Sequence, residues 1–148
     1  LILRPTRTST LFPYTAPFRS GHRGAPLLAR IVRVYEAWSA GEVTGRGIID
    51  THQVRSLPET LLVVADPEHR VEAVHLLAFH EPEQYRASSK WFAQFEDRAL
   101  DSDMAVRRGI VGVAGATMTS NAVTAAVRRS LATLEVGFGD DPGTVIGK

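Results

Sequence analysis

The sequence predicts an α+β domain in which a mostly antiparallel sheet packs against two or three helices. Two β-rich stretches over residues 60–79 are separated by turn residues, which is the pattern of a hairpin. A later stretch carries apolar residues at helical spacing. The chain has 148 residues, of which 44% are hydrophobic, and this length suits a single hydrophobic core.

The first predicted element is a helix over residues 27–40. Its apolar residues recur every three or four positions and so share one helix face: Leu27, Leu28, Ile31, Val32, Tyr35 and Trp38. Gly41 follows where a C-terminal capping glycine is expected. Further on, residues 47–52 are a candidate short strand between glycine-containing turns.

The predicted hairpin consists of a strand over residues 60–65, a turn beginning with Asp66 and Pro67, and a second strand within residues 70–79. Pro82 then ends the strand region. Residues 88–100 are predicted to form a short helix. Its apolar side holds Trp91, Phe92 and Phe95, at a spacing that favours a place in the core.

The last predicted element is a helix over residues 120–134, preceded by Gly109, Gly112 and Gly115. Thr119 or Ser120 is the expected N-terminal cap. Four apolar residues of this helix are predicted to face the core: Val123, Val127, Leu131 and Leu134.

The N-terminal residues differ from the rest in charge. Residues 1–35 contain six arginines, and all 16 acidic residues of the chain follow them. No groove-reading motif accompanies the arginines, so we expect no nucleic-acid partner. Residues 1–20 look like translated adapter sequence, and any export signal would then lie upstream. We therefore predict a non-native or disordered leader over residues 1–24, a domain over 25–136 and a flexible tail over 137–148.

Several kinds of chemistry are excluded or disfavoured. There is no cysteine, so disulfides, thiolate metal sites and cysteine nucleophiles are excluded. The five histidines lack metal-ligand spacing, and no G-x-S-x-G elbow is present. No apolar run approaches the roughly 18–20 residues of a membrane-spanning helix. We expect no metal site and no membrane span.

Small residues ahead of the last helix point to an anion site. Gly115 and Ala116 would let an anion approach backbone N–H groups that have no partner within the helix. The three glycines fit neither the dinucleotide fingerprint nor a P-loop, which disfavours dinucleotides and nucleoside triphosphates. A tight turn without a ligand is the alternative.

Residues 114–120, Ala-Gly-Ala-Thr-Met-Thr-Ser, followed by Asn-Ala-Val, resemble the Ser/Thr-Gly-Ala-Thr-x-Thr-Ser motif of the FMN-binding domain family. That family includes the C subunit of the sodium-pumping NADH:quinone reductase, the Rnf complex G subunit and the flavin domain of the nitrous-oxide-reductase regulator. Residues 52–60, 79–82 and 91–95 are also similar to stretches in small exported members.

The resemblance implies a cofactor and its site. FMN would be esterified through its phosphate to Thr117 by an extracytoplasmic flavin transferase that uses FAD and magnesium. Thr119 and Ser120 would donate hydroxyls to the phosphate or cap the helix. His80 and Glu81 would border the flavin or form a solvated turn. Arg55 would balance the phosphate or lie on the surface. The predicted cofactor-binding residues are Thr117, Gly115, Ala116, Thr119, Ser120, His80 and Glu81, with no catalytic residue.

Family members usually carry aspartate and Ser or Thr where this chain has Val111 and Ala114. Covalent FMN, non-covalent FMN and no flavin therefore all stay open. The resemblance implies an extracytoplasmic electron carrier without substrate turnover of its own, which exchanges electrons with a redox partner protein or a membrane electron-transfer complex. The alternatives are a ligand-sensing or regulatory module and a purely structural interaction domain.

Overall fold

The computed structural model describes residues 2–5, 11–12 and 30–139, with side chains over 32–139. Its strands are β1 (Ile2–Pro5), β2 (Leu11–Phe12), β3 (Arg30–Ile31), β4 (Val34–Ser39), β5 (Glu42–Gln53), β6 (Pro58–Ala65) and β7 (Val71–Phe79). Its helices are the short α1 (Ser89–Phe92) and the long α2 (Thr117–Phe138), with 3₁₀ turns at Glu83–Tyr85 and Ala93–Phe95.

The main sheet is antiparallel throughout. Strands β4, β5, β6 and β7 follow one another in space as in sequence, and β1 pairs with the outer edge of β4. The α+β prediction is confirmed, and the predicted hairpin corresponds to β6 and β7. The candidate strand over 47–52 is part of the longer β5.

The predicted helix over residues 27–40 is wrong where the structure describes it. Residues 34–39 form β4, and residues 27–29 lie outside the described residues. Valine, tyrosine and tryptophan favour a strand, and pairing with β5 decides between the two interpretations of the apolar spacing. Gly41 does not cap a helix. It forms a two-residue hairpin turn with Ala40, both at positive φ (86° and 51°), which is the type I′ geometry.

The leader also differs from expectation at two places. Ile2–Pro5 forms β1 and pairs with β4, and Leu11–Phe12 forms β2 and pairs with β3, although we predicted no packed structure before residue 25. Residues 6–10 and 13–29, as well as the predicted tail from residue 140 onward, lie outside the described residues. The domain boundaries themselves stay a prediction.

Helix α2 packs on one face of the sheet, against β5 and β6. Val123, Val127, Leu131 and Leu134 are fully buried, as predicted. They meet the inward-facing residues of β6, which alternate with half-buried residues as expected for a sheet covered on one face. The core thus lies between α2 and the sheet.

The predicted helix over 88–100 is shorter than expected. Ser88 caps α1 by accepting a hydrogen bond from the Trp91 N–H (3.2 Å), and the chain leaves helical geometry after Phe95. The reason is that Asp97 and Arg98 form backbone hydrogen bonds with Val71 at the edge of β7. Both phenylalanines are buried, and Trp91 packs against them edge to face, which confirms the core interpretation of this aromatic group.

Two arginines fasten the segment that leads from α1 to α2. Arg98 donates to the Gly109 carbonyl (2.6 Å), and Arg128 of α2 donates to the carbonyls of Asp101 and Met104. A Cβ at Gly109 would lie 2.5 Å from the backbone carbonyl oxygen of Asp103, which cannot move aside as a side chain can, so only glycine fits there. The hydrogen bonds of Arg128 thus join this segment to α2.

Candidate functional site

The N-terminus of α2 presents unpartnered N–H groups. Helix α2 begins at Thr117, and its first hydrogen bond runs from the Ser120 N–H to the Ala116 carbonyl (3.0 Å). Within residues 30–139, the N–H groups of Thr117, Met118 and Thr119 have no acceptor. Such groups, with the helix dipole behind them, favour a bound anion. The cap predicted at Thr119 or Ser120 is wrong, because both residues lie inside the helix.

The hydroxyl groups of this first helical turn differ in availability. Thr117 is exposed, and its hydroxyl has no hydrogen-bond partner among the described residues. Thr119 is buried and donates to the Tyr85 carbonyl (2.7 Å). The Ser120 hydroxyl is also buried; it accepts from the Val113 N–H (2.8 Å) and donates to the Ala116 carbonyl (3.1 Å). Only Thr117 therefore offers a free hydroxyl at the helix terminus.

A recess of about 190 Å³ adjoins this turn. It is lined by Arg55, Tyr85, Gly115, Ala116, Thr117, Met118 and Thr119. The recess thus brings together four of the predicted cofactor-binding residues with Arg55, namely Gly115, Ala116, Thr117 and Thr119, whereas Ser120, His80 and Glu81 do not line it. A pocket that encloses a whole drug-sized ligand usually measures about 300–1,000 Å³, so this recess suits only one end of such a ligand.

Glu81 lies behind the recess as a structural acceptor. Its Oε1 accepts three backbone N–H groups, from Leu57 (2.9 Å), Ser56 (2.7 Å) and Arg55 (3.0 Å). These hydrogen bonds hold the pKa of Glu81 below its usual range. His80 is exposed; its N–H donates to the Pro58 carbonyl (3.2 Å), and its side chain does not line the recess. The pair is thus not a plain solvated turn, because Glu81 holds the neighbouring loop.

A comparison with protein-family models matches residues 56–132, just over half of the chain, to the FMN-binding domain. The chain belongs to the FMN-binding domain family. FMN is therefore its cofactor, as the resemblance implied. A search of the curated proteins finds no match.

The matched region of this FMN-binding domain includes the recess apart from Arg55, which directly precedes it. The residues present fit a phosphate: unpartnered N–H groups, a neighbouring guanidinium and a glycine at positive φ. A larger concavity of about 680 Å³ lies between β7 and residues 83–96, and it contains none of the predicted site residues. Of these two concavities, the recess at the start of α2 therefore has the donors that a phosphate would need.

The two departures from the family motif lie on the surface of the FMN-binding domain. Val111 is 75% exposed, and Ala114 is exposed as well. The backbone of Val111 is held by Gln94 and by the Trp91 indole, whose Nε1 donates to the Val111 carbonyl (2.6 Å). A change of side chain at either position therefore alters the protein surface and not the core.

Sequence reasoning missed a group of charges between α2 and the sheet, in which Glu59 is fully buried and the other members are half-buried. His52 lies between Asp50 (Nδ1 to Oδ1, 2.9 Å) and Glu59 (Nε2 to Oε2, 3.3 Å), and Arg129 binds Asp50 through two hydrogen bonds. The signal was the strand pairing, because His52 and Glu59 are opposite each other in the β5–β6 register. We call these four residues the His52 cluster.

Gly115 has φ of 76°, and a Cβ there would meet no atom within 4 Å. Gly115→Ala is therefore expected to lower the free energy of unfolding by about 1–2 kcal/mol through backbone strain alone. Gly115→Asn is the matched variant, since asparagine tolerates left-handed geometry, and we expect a smaller loss. Chemical denaturation measures both. Equal losses would show that the strain is not at the backbone.

In the described part of the chain, no helix combines the length and the apolar character needed to cross a membrane. Nor do the described residues include a group of three or more His, Cys, Asp or Glu side chains placed to hold a metal ion.

Proposed function

We propose that this domain carries FMN esterified to Thr117 and acts as an electron carrier on the extracytoplasmic side. The flavin supplies one- or two-electron redox chemistry, while the protein supplies attachment, orientation and electrostatics. Its partners are a flavin transferase and a redox protein or a membrane electron-transfer complex. The domain itself is expected to turn over no substrate.

The observation that carries the proposal is the position of the Thr117 hydroxyl. It is exposed and unpartnered among the described residues, at the first residue of a 22-residue helix. The unpartnered N–H groups and Arg55 line the same recess. An accessible hydroxyl is what a modifying enzyme needs, and donors beside it stabilise the attached phosphate.

The attachment step requires a second protein because a threonine hydroxyl is a weak nucleophile without activation. A bond forms between Thr117 Oγ1 and the phosphorus of the FMN half of FAD. The pyrophosphate bond breaks, AMP leaves, and the hydroxyl proton is lost. Extracytoplasmic location is part of this proposal because the family's transferase acts there.

A regulatory module with non-covalent FMN, or without flavin, is the second candidate. It is favoured by Val111 and Ala114, which replace the usual aspartate and Ser or Thr. If the transferase needs that aspartate, the fold and the recess would remain while the ester would not form.

Co-expression of the chain with a flavin transferase separates the candidates. Covalent FMN is expected to give a fluorescent band on a denaturing gel and the mass of one FMN phosphoester in intact-protein mass spectrometry. A yellow native protein that loses its colour on denaturation would support the regulatory module with non-covalent FMN. A colourless protein under both conditions would exclude both flavin functions.

Val111→Asp restores the aspartate of the family motif, and we expect it to increase the fraction of flavinylated chain at a fixed co-expression time. Folding should change by no more than about 0.5 kcal/mol, because the side chain is 75% exposed. The matched control is Val136→Asp, which adds the same charge at a 72% exposed position near the far end of α2. Equal flavinylation in the two variants would show that the aspartate is not needed.

A further inference from the structure

We propose that Arg55 binds the FMN phosphate, and that Glu81 and Thr119 hold Arg55 and its neighbour Tyr85 in place for this purpose. This inference rests on the flavin site proposed above and assigns the residue that recognises the charged end of the cofactor. Arg55 comes from the loop between β5 and β6, far in sequence from the Gly-Ala-Thr turn.

The Arg55 guanidinium is available for an anion. In the described part of the chain, no carboxylate oxygen lies within 4.0 Å of it, whereas Arg46, Arg70, Arg86, Arg98 and Arg129 each have such a partner. Arginine keeps its charge at all physiological pH values and presents a planar set of donors that matches phosphate oxygens. The recess that it lines with Thr117 otherwise offers only neutral donors.

Glu81 positions the main chain of Arg55. Only 7% of Glu81 is exposed, and its Oε1 accepts three successive N–H groups of the loop, including that of Arg55. This oxygen is thus bound to backbone amides and leaves the guanidinium unpaired. Three hydrogen bonds to one carboxylate oxygen hold the backbone of this loop in place, and they do not neutralise the charge of the Arg55 guanidinium.

Tyr85 and Thr119 position the other end of the arginine. The guanidinium carbon of Arg55 lies 5.3 Å from the centroid of the Tyr85 ring, within the range of a cation–π contact. The Tyr85 carbonyl accepts the hydroxyl of Thr119, which is 1% exposed. Thr119 therefore connects the ring beneath Arg55 to the first turn of α2, so that Arg55, Tyr85 and Thr117 are held in one arrangement.

The test compares FMN with riboflavin, which has the same ring and ribityl chain but no phosphate. Fluorescence titration uses the whole chain expressed without a transferase. Arg55→Gln is expected to weaken FMN binding about tenfold or more, the usual cost of losing a charge-assisted hydrogen bond, and to leave riboflavin binding unchanged. The FMN affinity of Arg55→Lys should lie between those of the unmodified chain and Arg55→Gln, because lysine keeps the charge and loses the planar set of donors.

Arg70→Gln is the matched control. It removes one exposed arginine from the turn at the other end of β6, about 25 Å away along the strand. The affinities for both flavins should remain those of the unmodified chain. Glu81→Gln should lower the FMN-to-riboflavin affinity ratio, a change that a purely structural role in stability would not produce.

A second measurement covers the covalently loaded protein. After co-expression with the transferase, the ³¹P resonance of the phosphodiester should shift in Arg55→Gln and stay unchanged in Arg70→Gln. If Arg55→Gln weakened the binding of FMN and riboflavin equally, or left the ³¹P resonance unshifted, Arg55 would not be the phosphate-binding residue. The proposed function would not be affected by that result. A chain that takes up no flavin with or without the transferase would instead end the proposed function, and this inference with it.

Discussion

Thr117→Ala is expected to abolish covalent flavin completely after co-expression with a flavin transferase. The hydroxyl of Thr117 is the only one in the first turn of α2 that is free among the described residues, since those of Thr119 and Ser120 are bound to backbone groups. The change should alter the free energy of unfolding by no more than about 0.5 kcal/mol, because the side chain is exposed. In-gel flavin fluorescence and intact mass give the result directly.

Thr117→Ser is the matched control, because it keeps a hydroxyl at the same helix position, and we expect it to retain the label. Retention of covalent flavin in Thr117→Ala would place the ester on another residue. Loss of the label together with a lower melting temperature would indicate that the alanine variant had unfolded, which the thermal melt distinguishes.

The folded state is expected to lose about 3 kcal/mol of stability as the pH rises from 6.5 towards 9. The cause is the His52 cluster. Burial alone would lower the pKa of His52, but the hydrogen bond to Asp50 and the contact with Glu59 outweigh it and raise the pKa from 6.5 to about 9. A raised pKa means that the protonated form stabilises the fold; its full contribution is present below pH 6.5 and is lost through pH 9.

Asp50 gives the opposite dependence at low pH. Burial alone would raise its pKa, but the hydrogen bonds from His52 and Arg129 lower it from 3.8 to about 2. This contribution, about 2 kcal/mol, is present above pH 3.8 and is lost as the pH falls through 2. The two contributions overlap fully between pH 3.8 and 6.5, where we expect this cluster to stabilise the fold most.

Urea denaturation across pH 5–9.5 measures the effect of His52. His52→Gln should be less stable at pH 6 and should lose the decline between pH 6.5 and 9. His75→Gln is the control because His75 is an exposed histidine of β7. If the decline persists in His52→Gln, a different titrating group causes it.

The sequence allowed correct prediction of those elements whose structure depends on short-range residue patterns. The β6–β7 hairpin and the inward face of α2 follow from alternation and from helical spacing, and both are confirmed. Residues 34–39 were assigned to the wrong class because their apolar spacing suits either a helix or a strand, and only pairing with β5 resolves it. The predicted start of α2, at residue 120, lies three residues after the observed start at Thr117. Ser120 does not cap the helix, because its hydroxyl accepts a hydrogen bond from the Val113 N–H inside the protein.

The site divides in the same way. The Gly-Ala-Thr turn was recognisable from a contiguous motif, and the structure adds that Thr117 is exposed. The contribution of Glu81 could not be recognised from the sequence, since its carboxylate accepts hydrogen bonds from backbone amides more than twenty residues away. For Arg55 the sequence left two alternatives open, a role beside the phosphate and a place on the surface. Nothing in the sequence shows that the β5–β6 loop reaches the N-terminus of α2.

Helix α2 is one continuous rod, and the Arg129 ion pair to Asp50 lies about 18 Å along its axis from Thr117. Apolar contacts tolerate small sliding, but a two-pronged guanidinium–carboxylate contact does not. The pair therefore acts as a stop against axial translation of the helix. A weakened stop would let the N-terminal end of α2 move along the helix axis relative to the sheet. If FMN is attached to Thr117 as proposed, the Arg129–Asp50 pair would therefore help to set the position of the flavin from about 18 Å away.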